Sequence, residues 1–143
     1  MTKSIHINNN DVIIGKLSYG GDLLEELTNV CIEKNISLGK IEAIGAVQKA
    51  CVGFYNQTSR KYKFINFDKH SEILNLTGNI TIKDNKSFVH AHIILADESG
   101  NAYGGHLAPG TITFACEFII HSFSGVELKR GMDDETGLLL WKI

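Results

Sequence analysis

Apolar and polar positions alternate along most of this chain with a period of two, and a single stretch follows the period of a helix. After a Gly20-Gly21 turn, Leu23, Leu24, Leu27, Val30 and Cys31 recur at helical spacing, which draws one apolar stripe along one face. Asp22 stands where its carboxylate can cap the first turn, and Glu25, three residues on, completes the pattern of a capping box. Asn35 supplies an exit residue before Ile36 begins the next extended stretch. The stripe predicts a helix that packs on a sheet.

Almost everything else reads as strand, over about 11 to 18, 40 to 56, 61 to 67, 72 to 83, 87 to 96, 102 to 107, 111 to 123 and 126 to 130, with a short element near 138 to 142. The connections are short and polar, as in Asn56-Gln57-Thr58-Ser59-Arg60 and Lys83-Asp84-Asn85-Lys86. Such links favour antiparallel pairing over crossover units. The expected fold class is therefore α+β: a single domain over 1–143, with a largely antiparallel, strongly twisted sheet packed by one main helix. Within 111 to 123, alternation sets Ile112, Phe114, Cys116 and Phe118 in one apolar row, and Glu117 with Thr113, Ala115 and Ile119 on the other side.

The strand Phe88-Val89-His90-Ala91-His92-Ile93-Ile94 carries the most distinctive polar pattern. Alternation points His90 and His92 to one face and Val89, Ala91 and Ile93 to the other. Asp97-Glu98-Ser99-Gly100 then has the form of a type I turn closing a three-residue loop, with Gly100 in the left-handed position. Counting back from an Asp97 and Asn101 pair sets His92 opposite His106, so His90, His92 and His106 share a face. Opposed Cβ atoms lie about 4.5–5.5 Å apart and diagonal ones about 7–8 Å. Three imidazoles at that spacing suit a divalent metal, zinc foremost, with a fourth position open to water or a small ligand. A two-residue loop, or a bulge at Gly104-Gly105, would instead send His106 to the opposite face. Without a metal, the same histidines suit a polar pocket or a subunit interface. His6, His70 and His121 lack such company and read as surface or interface residues.

Composition adds limits to this pattern. A chain of 143 residues, 43% hydrophobic and 21% charged, is sized for one folded domain. No apolar run approaches the eighteen or so residues of a membrane span, and the N-terminus does not read as a secretory leader, so a cytoplasmic location is expected. Cys31, Cys51 and Cys116 are odd in number, widely spaced and set among apolar residues, which points to buried reduced thiols. The net charge of −2 gives no global attraction to nucleic acid, although Arg60, Lys61 and Lys63 form a local basic patch.

Several motifs occur together and in order: Gly45-Ala46-Val47-Gln48, Glu72-Ile73-Leu74-Asn75-Leu76-Thr77-Gly78, His90-Ala91-His92 and Gly104-Gly105-His106-Leu107. On these the chain resembles the PPC domain, the plants-and-prokaryotes conserved domain, from roughly residue 11 to the C-terminus. The resemblance implies a largely antiparallel α/β domain that assembles as a homotrimer. In plants the domain is the partner-binding half of AT-hook nuclear proteins, and the hook makes the DNA contact. These 143 residues contain no Arg-Gly-Arg-Pro core, so the label of DNA-binding protein reaches them only by analogy of fold.

Three functions follow as expectations. The first is a trimeric binding protein whose three histidines hold a divalent metal or a small ligand. The second is a metal-dependent enzyme acting on a small molecule, with Glu117 as the candidate catalytic base should its strand neighbour the histidine hairpin; otherwise Glu117 serves a salt bridge or an interface, and Glu72 is comparable. The third is a DNA-associated regulator. Arg130, followed by Gly131-Met132-Asp133-Asp134, reads as half of an Arg-Asp pair that fastens the C-terminal segment, or as a site for an anion. Asp133-Asp134-Glu135 lacks the ligand pattern of a calcium loop, and Gly20-Gly21-Asp22 is weak as a phosphate cradle.

Overall fold

The sheet that the alternation predicts winds back on itself through one long strand. The computed structural model describes residues 2–143. Its elements are β1 (Asn8–Lys16), α1 (Leu23–Glu33), β2 (Gly39–Asn56), β3 (Lys61–Phe67), β4 (Ser71–Lys83), β5 (Lys86–Ala96), β6 (Ala102–Leu107), β7 (Ile112–Ser124), β8 (Arg130–Met132) and β9 (Leu139–Trp141). The main sheet runs β1-β7-β2-β4-β5-β6, with β3 on β2, and every strand pairing in it is antiparallel. The N-terminal half of β2 lies between β4 and β7, and its far half pairs with β3 and with the end of β6. Strands β2, β4, β5 and β6 thereby form a closed circuit. Sheet outweighs helix, at 60% to 8%, so the α+β expectation is right about the parts and overstates the helical share.

Helix α1 forms where the stripe places it. The Asp22 carboxylate accepts from the Leu24 and Glu25 amides at 3.1 Å each, and Asn35 leaves the helix at a φ of 55°. Instead of Glu25 reaching back, Glu26 accepts from the Ser18 amide at 2.9 Å. Leu23, Leu27 and Cys31 are fully buried and pack into one core with Ile41, Leu76, Ile80, Ile93, Leu95, Leu107 and Ile120. All three cysteines are free and buried. Burial pushes the Cys31 thiol up to about 12 and the Cys116 thiol to about 11, so both stay protonated near neutrality.

Three departures from the sequence reading have local causes. Strand β1 starts at Asn8 rather than near residue 11 because the backbone of its polar lead pairs with β7, where Asn8 faces Ser124 and Asn9 faces Phe123. The expected strand at 126 to 130 is displaced to β8, which pairs with β9 as a separate two-stranded sheet. In β7 the register against β2 shifts between Ala115 and Thr113, skipping Phe114. That bulge reverses the alternation beyond it, so Phe114 is 57% exposed and Thr113 is buried in its place.

The Asp22 carboxylate ties two parts of the chain, since its second oxygen accepts from the Gly110 amide at 2.6 Å. Asp22→Ala is expected to lower unfolding stability by about 1–2 kcal/mol in chemical denaturation, with Asp22→Asn recovering part of the loss.

Candidate metal centre

The hairpin that carries the histidines forms as the three-residue loop requires. The Gly100 amide donates to the Asp97 carbonyl at 2.9 Å, the Asp97 amide donates to the Asn101 carbonyl at 3.1 Å, and Gly100 has a φ of 78°. The Asp97 side chain holds the loop from within, accepting from the Ser99 and Asn101 amides at 3.0 Å each and from Lys69 Nζ at 2.7 Å. Pairing then runs without a slip from Ala96 and Ala102 to His92 opposite His106. Gly104-Gly105 lies in regular strand and carries no bulge.

Close backbone approach explains the two glycines. A Cβ at Gly104 would stand 2.0 Å from the Ile93 carbonyl oxygen, and one at Gly105 would stand 2.8 Å from that of Gly53. The next residue, His106, is paired on one side with His92 and on the other with Gly53. His90 joins from two residues before His92, facing away from the buried Val89, Ala91 and Ile93. The ring centroids lie 5.4 Å apart for His90 and His92, 5.0 Å for His90 and His106, and 5.6 Å for His92 and His106. One ligating nitrogen from each falls within 4.8 Å of the others.

Tetrahedral zinc with nitrogens at about 2.0–2.1 Å sets them about 3.3 Å apart. The separations therefore have to close by at most about 1.5 Å, a shift that side-chain rotation can supply. The chemistry of the donors also fits an ion. Burial, with the Arg130 guanidinium and then the other imidazoles, holds His90 down at about 4. Burial, with His92 and Arg130, lowers His106 as well. Both rings are thus neutral near pH 7, the form that has a lone pair to give. The Nδ1 atom of His106 is buried with no hydrogen-bond partner among the described residues, which is costly for a polar atom unless something else engages it.

Two neighbours were not legible as part of this site. Tyr62 of β3 brings its ring to 5.0 Å from His106. Arg130 comes from β8, and its Nη2 lies 3.4 Å from His90 Nδ1. No Asp or Glu among the described residues forms an ion pair with Arg130, which corrects the expected Arg-Asp pair. The guanidinium does fasten the C-terminal segment, through the Leu139 carbonyl at 2.9 Å. The nearest sequence signal was the isolated Arg130 itself, whose partners lie on β4, β5 and β9.

Glu117 is not brought to the histidines. It faces Ile44 of β2 and Lys16 of β1, and β2 and β4 separate β7 from β5 in the sheet. Three strand spacings put about 14 Å between Glu117 and the β5 histidines, and Ile44 and Gly53, which face Glu117 and His106, lie about 30 Å apart along β2, too far for a carboxylate to orient an imidazole within one chain. Glu72 is likewise an exposed residue of β4, paired with Ala96 beyond the histidines. In the basic patch, Arg60 turns both terminal nitrogens to the carbonyls of Asp134 and Glu135, at 3.1 and 3.0 Å, leaving Lys61 and Lys63 exposed.

The class defined so far is an antiparallel domain in which three histidines, a donor set suited to a metal ion, converge beside a guanidinium. The chain belongs to the Plants and Prokaryotes Conserved (PCC) domain family, which matches residues 6–124. It is similar to a metal-containing protein from Archaeoglobus fulgidus, with 37% identity, a TM-score of 0.94 and coverage of 99% of this chain and 100% of the other. It is also similar to a plant- and prokaryote-conserved protein from Pyrococcus horikoshii, with 27% identity, a TM-score of 0.93 and coverage of 99% and 98%. Among curated proteins it matches part of the bifunctional protein GlmU of Synechococcus sp. (strain JA-2-3B'a(2-13)), 28% identical over 126 residues. That match covers 87% of this chain, which spans about a fifth of the relative, 19% of its length. No helix among the described residues is long and apolar enough to cross a membrane.

The loop carboxylate makes a checkable pH signature. Lys69, with Asn101 and Ser99, holds the Asp97 carboxyl down at about 2 against its usual 3.8. A lowered folded value means stability present above pH 3.8 and lost as pH falls toward 2. Asp97→Asn is therefore expected to melt below wild type at pH 7, with the gap closing between about pH 4 and pH 2. A gap that does not change with pH would count against the loop carboxylate as its source.

Proposed function

We propose that this chain is a metal-binding protein that works as a homotrimer, in which His90, His92 and His106 hold one divalent ion, zinc being the best match. The carrying observation is the convergence of three ligating nitrogens within 4.8 Å, reinforced by the buried Nδ1 of His106, which has no hydrogen-bond partner among the described residues. Three nitrogens with no fourth His, Cys, Asp or Glu donor beside them among the described residues are the pattern of an open site rather than a sealed structural one. A bound ion would supply a Lewis acid at the fourth position. The metal-containing relative at 37% identity supports the same reading. An enzyme with Glu117 as base is disfavoured by the three strands of separation, and the net charge of −2 gives DNA binding no support.

Three copies are what the family resemblance implies, and the outer face of β1, β7 and β2 favours assembly. Ile14, Ile44, Phe114 and Ile119 are 77%, 59%, 57% and 42% exposed there. Ile14, Ile44 and Ile119 line one groove together with Glu42 and Glu117. A grouped apolar face of this kind suits burial against other copies better than contact with water.

Elemental analysis of tag-free protein is expected to return close to one metal per chain, falling to background in His92→Ala, whose exposed side chain can be lost without opening the core. Metal content unchanged by that substitution would sink the site. Light scattering is expected to give three times the mass of the chain, and Ile44→Asp to shift the species toward monomer; a wild-type monomer would refute the assembly.

A further inference from the structure

The geometry points to a small carboxylate as the ligand that completes this centre, with one oxygen in the open position of the ion and the other on the Nη2 edge of Arg130. The inference rests on the three-histidine metal reading and names the class of ligand for that same site.

Arg130 is held rigidly and left uncompensated. Its Nε donates to Thr81 Oγ1 at 3.0 Å, Nη1 to the Leu139 carbonyl at 2.9 Å and Nη2 to Asn79 Oδ1 at 2.5 Å. The Phe88 ring lies 5.4 Å from its central carbon. All of these partners are neutral, and no carboxylate of the described residues pairs with the guanidinium. The ligand set beside it is three imidazoles with no acidic member. A divalent ion there would keep both positive charges, next to a half-buried third. A partly desolvated cluster of that charge favours an anionic ligand, and a guanidinium is shaped to receive a carboxylate.

Metal binding also frees the donor that such a ligand needs. A guanidinium can only donate, so its contact with His90 Nδ1 at 3.4 Å requires that nitrogen to be unprotonated. An ion on Nδ1 would take the same lone pair. An ion on Nε2 would leave the neutral ring protonated on Nδ1, which then has nothing to accept with. In both cases the contact with His90 ends and one Nη2 hydrogen is released beside the histidines. Asn79, Thr81 and Leu139 keep the guanidinium in place while this happens.

Cobalt(II) in place of zinc makes the coordination sphere visible, because its absorption responds when an anion enters. With wild-type protein loaded to one cobalt per chain, titration with acetate is expected to give a saturable spectral change. Arg130→Met should keep its cobalt while binding acetate about tenfold more weakly or worse, the worth of a charged hydrogen bond. Asn79→Asp sets a carboxylate against the guanidinium with almost no change in volume, and should weaken acetate in the same direction. It carries the test should Arg130→Met fail to fold. Cobalt uptake with no acetate response, or acetate affinity equal to wild type in the folded variants, overturns the carboxylate assignment and leaves the metal site standing. Failure to take up cobalt overturns the metal reading, and this inference with it.

Discussion

The approach of three backbones at Gly104 and Gly105 is the constraint on which the rest of this structure depends. Strand β6 fits between β5 and the far half of β2 because neither glycine presents a Cβ to the carbonyls of Ile93 and Gly53. That fit closes the circuit of β2, β4, β5 and β6. It also fixes the position of His106, which is paired with His92 on one side and Gly53 on the other. A slip of one residue on either side would turn His106 to the other face of the sheet. The geometry of the histidine cluster is therefore a property of backbone packing before it is a property of imidazoles.

The two faces of the sheet serve different ends. The inner face, with α1 laid against it, holds Leu27, Ile41, Leu76, Ile80, Ile93 and Leu107 away from water and supplies the apolar burial that stabilises the domain. The outer face carries the histidines at one side and the Glu117 groove with its exposed isoleucines at the other. Strand alternation links them, because the inward Ala91 and Ile93 flank the outward His92 in the same strand. A rigid core beneath a shallow site holds three side chains in place without spending loops on the task.

The late segment contributes more than closure of the chain. Strands β8 and β9 form a small sheet of their own, and the Lys129 backbone bridges to Ile82 of β4. From that anchor Arg130 reaches across Thr81 and Asn79 to His90. A cation arriving from a separate sheet adds to burial in holding His90 and His106 below the usual imidazole range.

Local patterning was enough for the helix and for most of the strands, the displaced 126 to 130 stretch excepted. The helix at 23 to 33 follows from its stripe and the Asp22 cap, and the His92 to His106 register follows from Asp97 and Gly100, because both are decided by interactions a few residues apart. Phe114 shows where this stops: its bulge answers to the partner strand β2, so the reversal of face beyond it has no sign in the alternation. Glu117 and Arg130 make the same point for the site. One is three strands from the histidines and the other touches them, and which is which depends on strand order and on the docking of β8. Those are settled by burial and backbone pairing between segments far apart in the chain. The sequence by itself determined most of the elements, the hairpin and the face its histidines share; only the tertiary structure decided which charged side chain stands beside them, since a partner from another sheet leaves no periodic trace.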